Sequence, residues 1–162
     1  KINTQIESNI KTIMSLISSI RNIKISFSIS PKKDIEIHCR GNKEILNIID
    51  NYKEHLNRMV HVKNIVLDEN LKKPIHSTTV VIGELEIFIP LSGVIDIDKE
   101  TERLNKQISN LNGRLNSVNS KLDNKNFVKN APADVVNHER NKQEKYQQEH
   151  EILTQNLESI VS

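Results

Sequence analysis

Leu104-Asn105-Lys106-Gln107-Ile108-Ser109-Asn110-Leu111-Asn112-Gly113-Arg114-Leu115-Asn116-Ser117-Val118-Asn119-Ser120-Lys121-Leu122 is the stretch that decides the architecture. Its apolar residues, Leu104, Ile108, Leu111, Leu115, Val118 and Leu122, recur at alternating spacings of four and three. That is a heptad seam, the mark of a helix that hides one narrow stripe against one partner helix. A turn-rich break follows, from Asn124 to Pro132, and then a second charged helical stretch carrying Tyr146, Leu153, Leu157 and Ile160. The last third therefore reads as an antiparallel helical hairpin. The first helix should start near Asp96 or Asp98, where a carboxylate suits a helix N-terminus. Running to Asp123, its ~27 residues would span roughly 40 Å at 1.5 Å per residue. Gly113 inside it marks either a bend or an exposed position that tolerates the loss. Pairing the two helices about the break brings Gln143 near Leu115 and His150 near Ile108, so the middle of the seam should be weaker than its base.

Upstream the periodicity changes. Ile2, Ile6, Ile10, Ile13, Ile17 and Ile20 make the apolar face of a leading helix, with Asn3, Gln5, Glu7, Lys11 and Ser15 opposite. Ile25, Phe27 and Ile29 then alternate with polar residues as a strand does, and Ile35, Ile37 and Cys39 do the same after the Pro31-Lys32-Lys33 turn, which predicts a hairpin. Asn42 caps a helix reaching about residue 58. Strands follow at 62–67, 77–82 and 85–90, the last two joined by the tight Gly83-Glu84 turn. The expected fold class is α+β: a small, largely antiparallel sheet with packed helices over residues 1–90, followed by a coiled-coil arm over residues 91–162, with Leu91-Ser92-Gly93 as the hinge.

Composition excludes several functions. Of the 162 residues only 3% are aromatic and none is Trp, which argues against stacking successive bases on aromatic platforms. Cys39 is the single cysteine, so no internal disulfide can form. No apolar run reaches transmembrane length, and the beginning is not a signal peptide; starting at Lys1 inside a helical pattern, the chain reads as a piece of a longer soluble protein. The six histidines lack i,i+4 pairing, and His38 and Cys39, adjacent on a strand, face opposite sides, so no metal site is expected. The four glycines are isolated and form no phosphate loop. The net charge of +2 neither requires nor excludes nucleic acid, but its distribution is informative. From Arg114 to Lys145 there are seven Lys and Arg against four Asp and Glu, whereas the rest of the second helix carries Glu149, Glu151 and Glu158 and no Lys or Arg. A phosphate-seeking tip on a solvated stalk has this polarity, and so does an ordinary solvated coiled coil.

Two segments are more specific. Leu91-Ser92-Gly93-Val94-Ile95-Asp96 with Glu100, Arg103 and Leu104, and the tip from Lys121 to Val136 continuing into Glu139, Arg140 and Lys142, resemble the C-terminal arm of valyl-tRNA synthetases. Ile20-Arg21-Asn22-Ile23-Lys24 is more weakly similar to the family's entry into a small α/β module. The departures are Asn130, where the family often has Lys, and Gln143, where an apolar residue is usual. The resemblance implies an arm that lies against the outer corner of tRNA and reinforces binding without catalysis. ATP and Mg would belong only to the parent's catalytic body, because segments like His-Ile-Gly-His and Lys-Met-Ser-Lys-Ser are both absent from this sequence. It also implies a cytoplasmic monomer with valine isoacceptor tRNA as partner. Arg114, Lys121, Lys125, Phe127, Lys129 and Arg140 are the candidate RNA contacts, with Phe127 either stacking on exposed bases or plugging the hairpin end. Arg21, Lys24, Lys32, Lys33, Lys72 and Lys73 offer a weaker second basic surface. The rival reading is a protein–protein or ribosome-associated coiled-coil module of a non-synthetase translation factor.

Overall fold

A computed structural model describes residues 2–162, with side chains from Thr4 onward. The elements run α1 (Ile2–Ser26), β1 (Ile35–Arg40), α2 (Lys43–Asn51), α3 (Lys53–Val60), β2 (Val62–Leu67), β3 (Ser77–Ile82), β4 (Leu85–Pro90), α4 (Ile97–Asp123), α5 (Lys125–Asn130) and α6 (Ala133–Val161). The class is α+β. The chain forms two compact units, Lys1–Ile97 with Ser159–Ser162, and Asp98–Glu158.

The first unit is built on a four-stranded sheet ordered β2-β1-β4-β3. β4 pairs antiparallel with β1 and β3, while β1 and β2 are parallel. The parallel pair follows from the helices between them, since a strand–helix–strand crossover returns the chain in the same direction. One face of the sheet presents Ile35, Ile37, Cys39, Val62, Leu85, Ile87 and Ile89, all buried, as are Ile13, Leu16, Ile17 and Ile20 of α1 and Leu46, Ile49, Leu56 and Val60 of α2 and α3. Burial pushes the Cys39 thiol up to about 12, so it is a small core residue without thiolate character. On the opposite face His38 bonds Glu36, and Arg40 bonds Glu86 while its guanidinium sits 5.2 Å from the centre of the Phe88 ring. Gly83 has a positive φ of 59° and Glu84 does not, the pattern of a type II′ turn between β3 and β4. The end of the chain closes this unit: Nδ1 of His76 lies 2.6 Å from the carbonyl of Ile160, which is fully buried.

Three expectations are corrected here. No strand forms over Ile25–Ile29, so the hairpin with Ile35–Cys39 does not exist. The helical period simply continues: Ile20, Lys24 and Phe27 are buried at helical spacing and Ile25 is 76% exposed. α1 ends in a Schellman motif, with Ile29 N–H donating to Lys24 O (2.7 Å), Ser28 N–H to Ile25 O (3.1 Å), and Ser28 in the left-handed region at φ 54°. Second, the helix expected to reach residue 58 is capped by Asn42 as anticipated but divides at Tyr52, just after the weak helix formers Asp50 and Asn51. Third, Ile6 and Ile10 were expected to be buried with the rest of their stripe and are 46% and 45% exposed; the side chain of Ile2 lies outside the described residues.

Lys24 is also not a surface charge. It is 3% exposed, and its Nζ donates to the carbonyls of Pro31 (3.0 Å), Lys33 (2.6 Å) and Val60 (2.8 Å). All three ammonium donors are thus spent on backbone acceptors, tying the end of α1 to the following loop and to the end of α3. Desolvation lowers its pKa, with the charge of Asp34 acting in the opposite sense. Lys24→Met keeps the stem and strands three acceptors, so we expect a loss of about 2 to 4 kcal/mol in denaturant-measured stability, as for other buried polar groups deprived of a partner.

Candidate nucleic-acid interface

The second unit is the helical hairpin. In α4 the residues at heptad spacing alternate between buried (Leu104, Leu111, Val118) and half-buried (Ile108, Leu115, Leu122). In α6 the matching row is Val136, Glu139, Gln143, Tyr146, His150, Leu153 and Leu157, spaced three and four, all buried or half-buried. The register differs from the expected one by about a turn: Gln143 Nε2 donates to Asn119 Oδ1 at 2.7 Å, and Lys121 meets Glu139. Gln143 therefore gains a polar partner instead of facing Leu115. α4 runs unbroken through Gly113, where an added Cβ would meet nothing within 4 Å. Of the two readings of this glycine, the exposed, tolerated position holds.

At the tip, Asn124 organises the reversal. Its side chain accepts from the N–H groups of Asn126 (3.0 Å) and Phe127 (3.2 Å), capping α5, and its own N–H donates to Lys121 O. Ala131 adopts extended backbone, φ −72° and ψ 150°, as a residue before proline must, and this ends α5 before α6 begins at Ala133. Phe127 is half-buried at this turn.

The six candidate residues fall into three places. Lys125 and Lys129 sit on α5 and are exposed. Arg114 and Lys121 each directly precede a seam residue of α4, Leu115 and Leu122, and so share one flank of the hairpin. Arg140 directly follows the seam residue Glu139 and lies on the other flank. Arg114, nine residues before the end of α4, is roughly 13 Å back from the reversal at 1.5 Å per residue. The candidates thus spread over the tip and both flanks.

Sequence reasoning counted Glu139 as one more surface charge. It is instead 6% exposed, within the seam, and its Oε1 accepts from Nζ of both Lys142 (3.2 Å) and Lys121 (3.4 Å). Its place three residues after Val136 and four before Gln143 was the available signal. Burial pushes the Glu139 carboxyl up, but the hydrogen bonds from Lys142 and Lys121, with their charges, outweigh it and hold the group below the ordinary value of 4.5. In the first turn of α4, Glu100 is similarly buried and accepts from Arg103 (Nε to Oε2, 2.9 Å). Among the described residues no cluster of three or more His, Cys, Asp or Glu side chains could hold a metal ion, and no helix is long and apolar enough to cross a membrane.

A long heptad hairpin with basic residues about its reversal, joined to a small α+β module, is the class this chain defines. Residues 96–161 match the family model described as the valyl tRNA synthetase tRNA binding arm. The likeness extends beyond the arm. The chain is 35% identical over 162 residues to the valine–tRNA ligase of Clostridium tetani, covering 98% of this chain and 18% of that protein. It is 30% identical over 150 residues to the ligase of Geobacter sulfurreducens, covering 91% and 17%. Likeness running through the α+β module as well as the arm separates this chain from a heptad arm borne by an unrelated translation factor. The chain spans less than a fifth of the relatives it matches.

A decrease in pH should weaken the hairpin through Glu139. Because the folded pKa is depressed, the contribution is complete above the ordinary carboxylate value and is lost as pH falls through the folded value. The expected outcome, followed by helical circular dichroism between about pH 6 and pH 3, is a steeper loss of hairpin melting temperature in the wild type than in Glu139→Gln.

Proposed function

We propose that the chain is the non-catalytic, C-terminal tRNA-binding region of a valyl-tRNA synthetase. The observation that carries this is the match of residues 96–161 to the tRNA binding arm family, on a hairpin whose reversal is basic. In this reading residues 91–162 act as the arm and residues 1–90 as the module that bears it. The arm contacts the outer corner of tRNA by shape and phosphate, since folded RNA hides its base edges in a deep groove. Arg114, Lys121, Lys125, Lys129 and Arg140 supply cations for phosphates, and Phe127 offers the one aromatic face near exposed bases. The parent is a cytoplasmic valine–tRNA ligase that acts on valine isoacceptors with ATP and Mg in a separate catalytic body. The chain described here activates no amino acid and works as a monomer.

The physical logic is division of labour. A stalk supported by a narrow seam reaches away from the chemistry, and its cations raise affinity for a polyanion without reading sequence. Glu149, Glu151 and Glu158 on the returning helix discourage RNA from lying along the root. Lys125→Ala and Lys129→Ala should each weaken binding to tRNA and flatten the dependence of log K on log salt by about 0.7 to 0.9. Fluorescence titrations at several salt concentrations measure both. Wild-type affinity and slope in both variants would sink the tip as the contact surface.

A further inference from the structure

Glu139 occupies a place where an apolar residue would serve the seam better. A carboxylate buried between two helices rarely adds net stability, because its desolvation offsets what its partners return. Here the accounting is incomplete as well: Oε1 accepts from two lysines while Oε2 is buried without a hydrogen-bond partner. The arrangement nevertheless has an effect on its surroundings. Lys121 comes from α4 and Lys142 from α6, and each directly precedes a seam residue, Leu122 and Gln143. In an antiparallel pair these positions adjoin on one flank, and both ammonium groups converge on a single oxygen.

Each ammonium has three N–H donors and spends one on Glu139, so two remain on each. The lysine side chains are 51% and 38% exposed, against 8% for Glu139, which leaves those donors accessible from solvent. The trio carries one net positive charge. Lysine is rotamer-rich, and two free lysines would lose much of that freedom on gripping an anion; anchoring both on a buried carboxylate removes part of this loss before RNA arrives. Arg114 lies on the same flank one heptad further back, where Glu149 of α6 lines the same depression, so the paired-lysine arrangement is confined to Lys121 and Lys142.

We infer that Lys121 and Lys142 form a paired seat for an RNA phosphate on one flank of the arm, and that Glu139 is the positioning residue that holds the pair. This rests on the tRNA-binding reading above and adds to it a binding residue, Lys142, a positioning residue, and a side from which RNA approaches. The seat is electrostatic and recognises phosphate, not base identity. Simple charge counting makes the opposite forecast for Glu139, because deleting a negative group beside a polyanion should tighten binding.

The test titrates the chain with a folded transfer RNA at several salt concentrations, with helical melting followed in parallel, and uses Lys125→Ala as the reference. Lys142→Ala is expected to weaken binding about three- to tenfold and to reduce the salt slope by about 0.7 to 0.9, as losing one phosphate contact does. Lys121→Ala combined with Lys142→Ala should cost less than the product of the single effects, because both groups hold one phosphate. Glu139→Leu should raise the melting temperature by completing the seam, yet weaken RNA binding. Glu139→Gln, nearly isosteric, should weaken binding in the same direction and covers the case of a Leu variant that fails to fold. Wild-type or tighter binding by both Glu139 variants overturns the positioning role. Wild-type affinity and slope in Lys142→Ala, while Lys125→Ala is impaired, overturns the seat and leaves the tip reading standing. Wild-type behaviour in all of them, Lys125→Ala included, overturns the seat and the tip together as contact surfaces, whereas no binding by the wild-type chain overturns the tRNA-binding reading itself.

Discussion

Helices of 27 and 29 residues, joined by a short reversal, have one narrow stripe each with which to exclude water, and everything in the arm depends on how those stripes meet. α4 supplies a fully apolar row from Leu104 to Leu122. α6 answers with a row in which Glu139, Gln143 and His150 interrupt the apolar residues. An apolar row facing a partly polar one holds the helices together with less burial than two apolar rows would. Two of the polar positions, Glu139 and Gln143, acquire partners from α4, in Lys121 and Asn119. The seam therefore does two things at once: its apolar members keep the stalk in register, and its polar members near the reversal bond to neighbours, Gln143 to Asn119 and Glu139 to Lys121 and Lys142.

The same economy appears in the α+β module. Lys24 spends its charge on three carbonyls that no helix or strand satisfies, and the left-handed Ser28 allows α1 to end where that lysine can reach them. The sheet it helps to enclose is mixed because the chain between β1 and β2 is helical. The parallel pair is the direct consequence of Asn42 starting a helix between two strands.

Most of this fold was legible. β3, β4 and the 27 residues of α4 follow from alternation, a tight Gly83-Glu84 turn and the heptad spacing, signals that are local and strong. What failed was the stretch from Lys24 to Ile29, where both periods fit the apolar residues. Alternation of Ile25, Phe27 and Ile29 suggested a strand, and only the burial of a lysine at helical spacing from Ile20 and Phe27 resolves it; nothing local marks a lysine as buried. The register of the arm was missed by a turn because α5 takes up part of the reversal. For the basic residues, the charge count along the sequence located them about the reversal but did not assign them to sides of the hairpin. Heptad position assigns Lys121 and Arg114 to one flank and Arg140 to the other, and it would also have exposed Glu139, had the polar members of the α6 row been read as seam residues.

The central claim is that the arm recognises a folded tRNA by shape as well as charge. The most direct measurement is a titration of the 162-residue chain against tRNA and against an RNA duplex of equal length at the same salt. Tighter binding to tRNA is the expected result, because a duplex offers the same phosphates without the corner. Equal binding to both, or binding to neither, would contradict it.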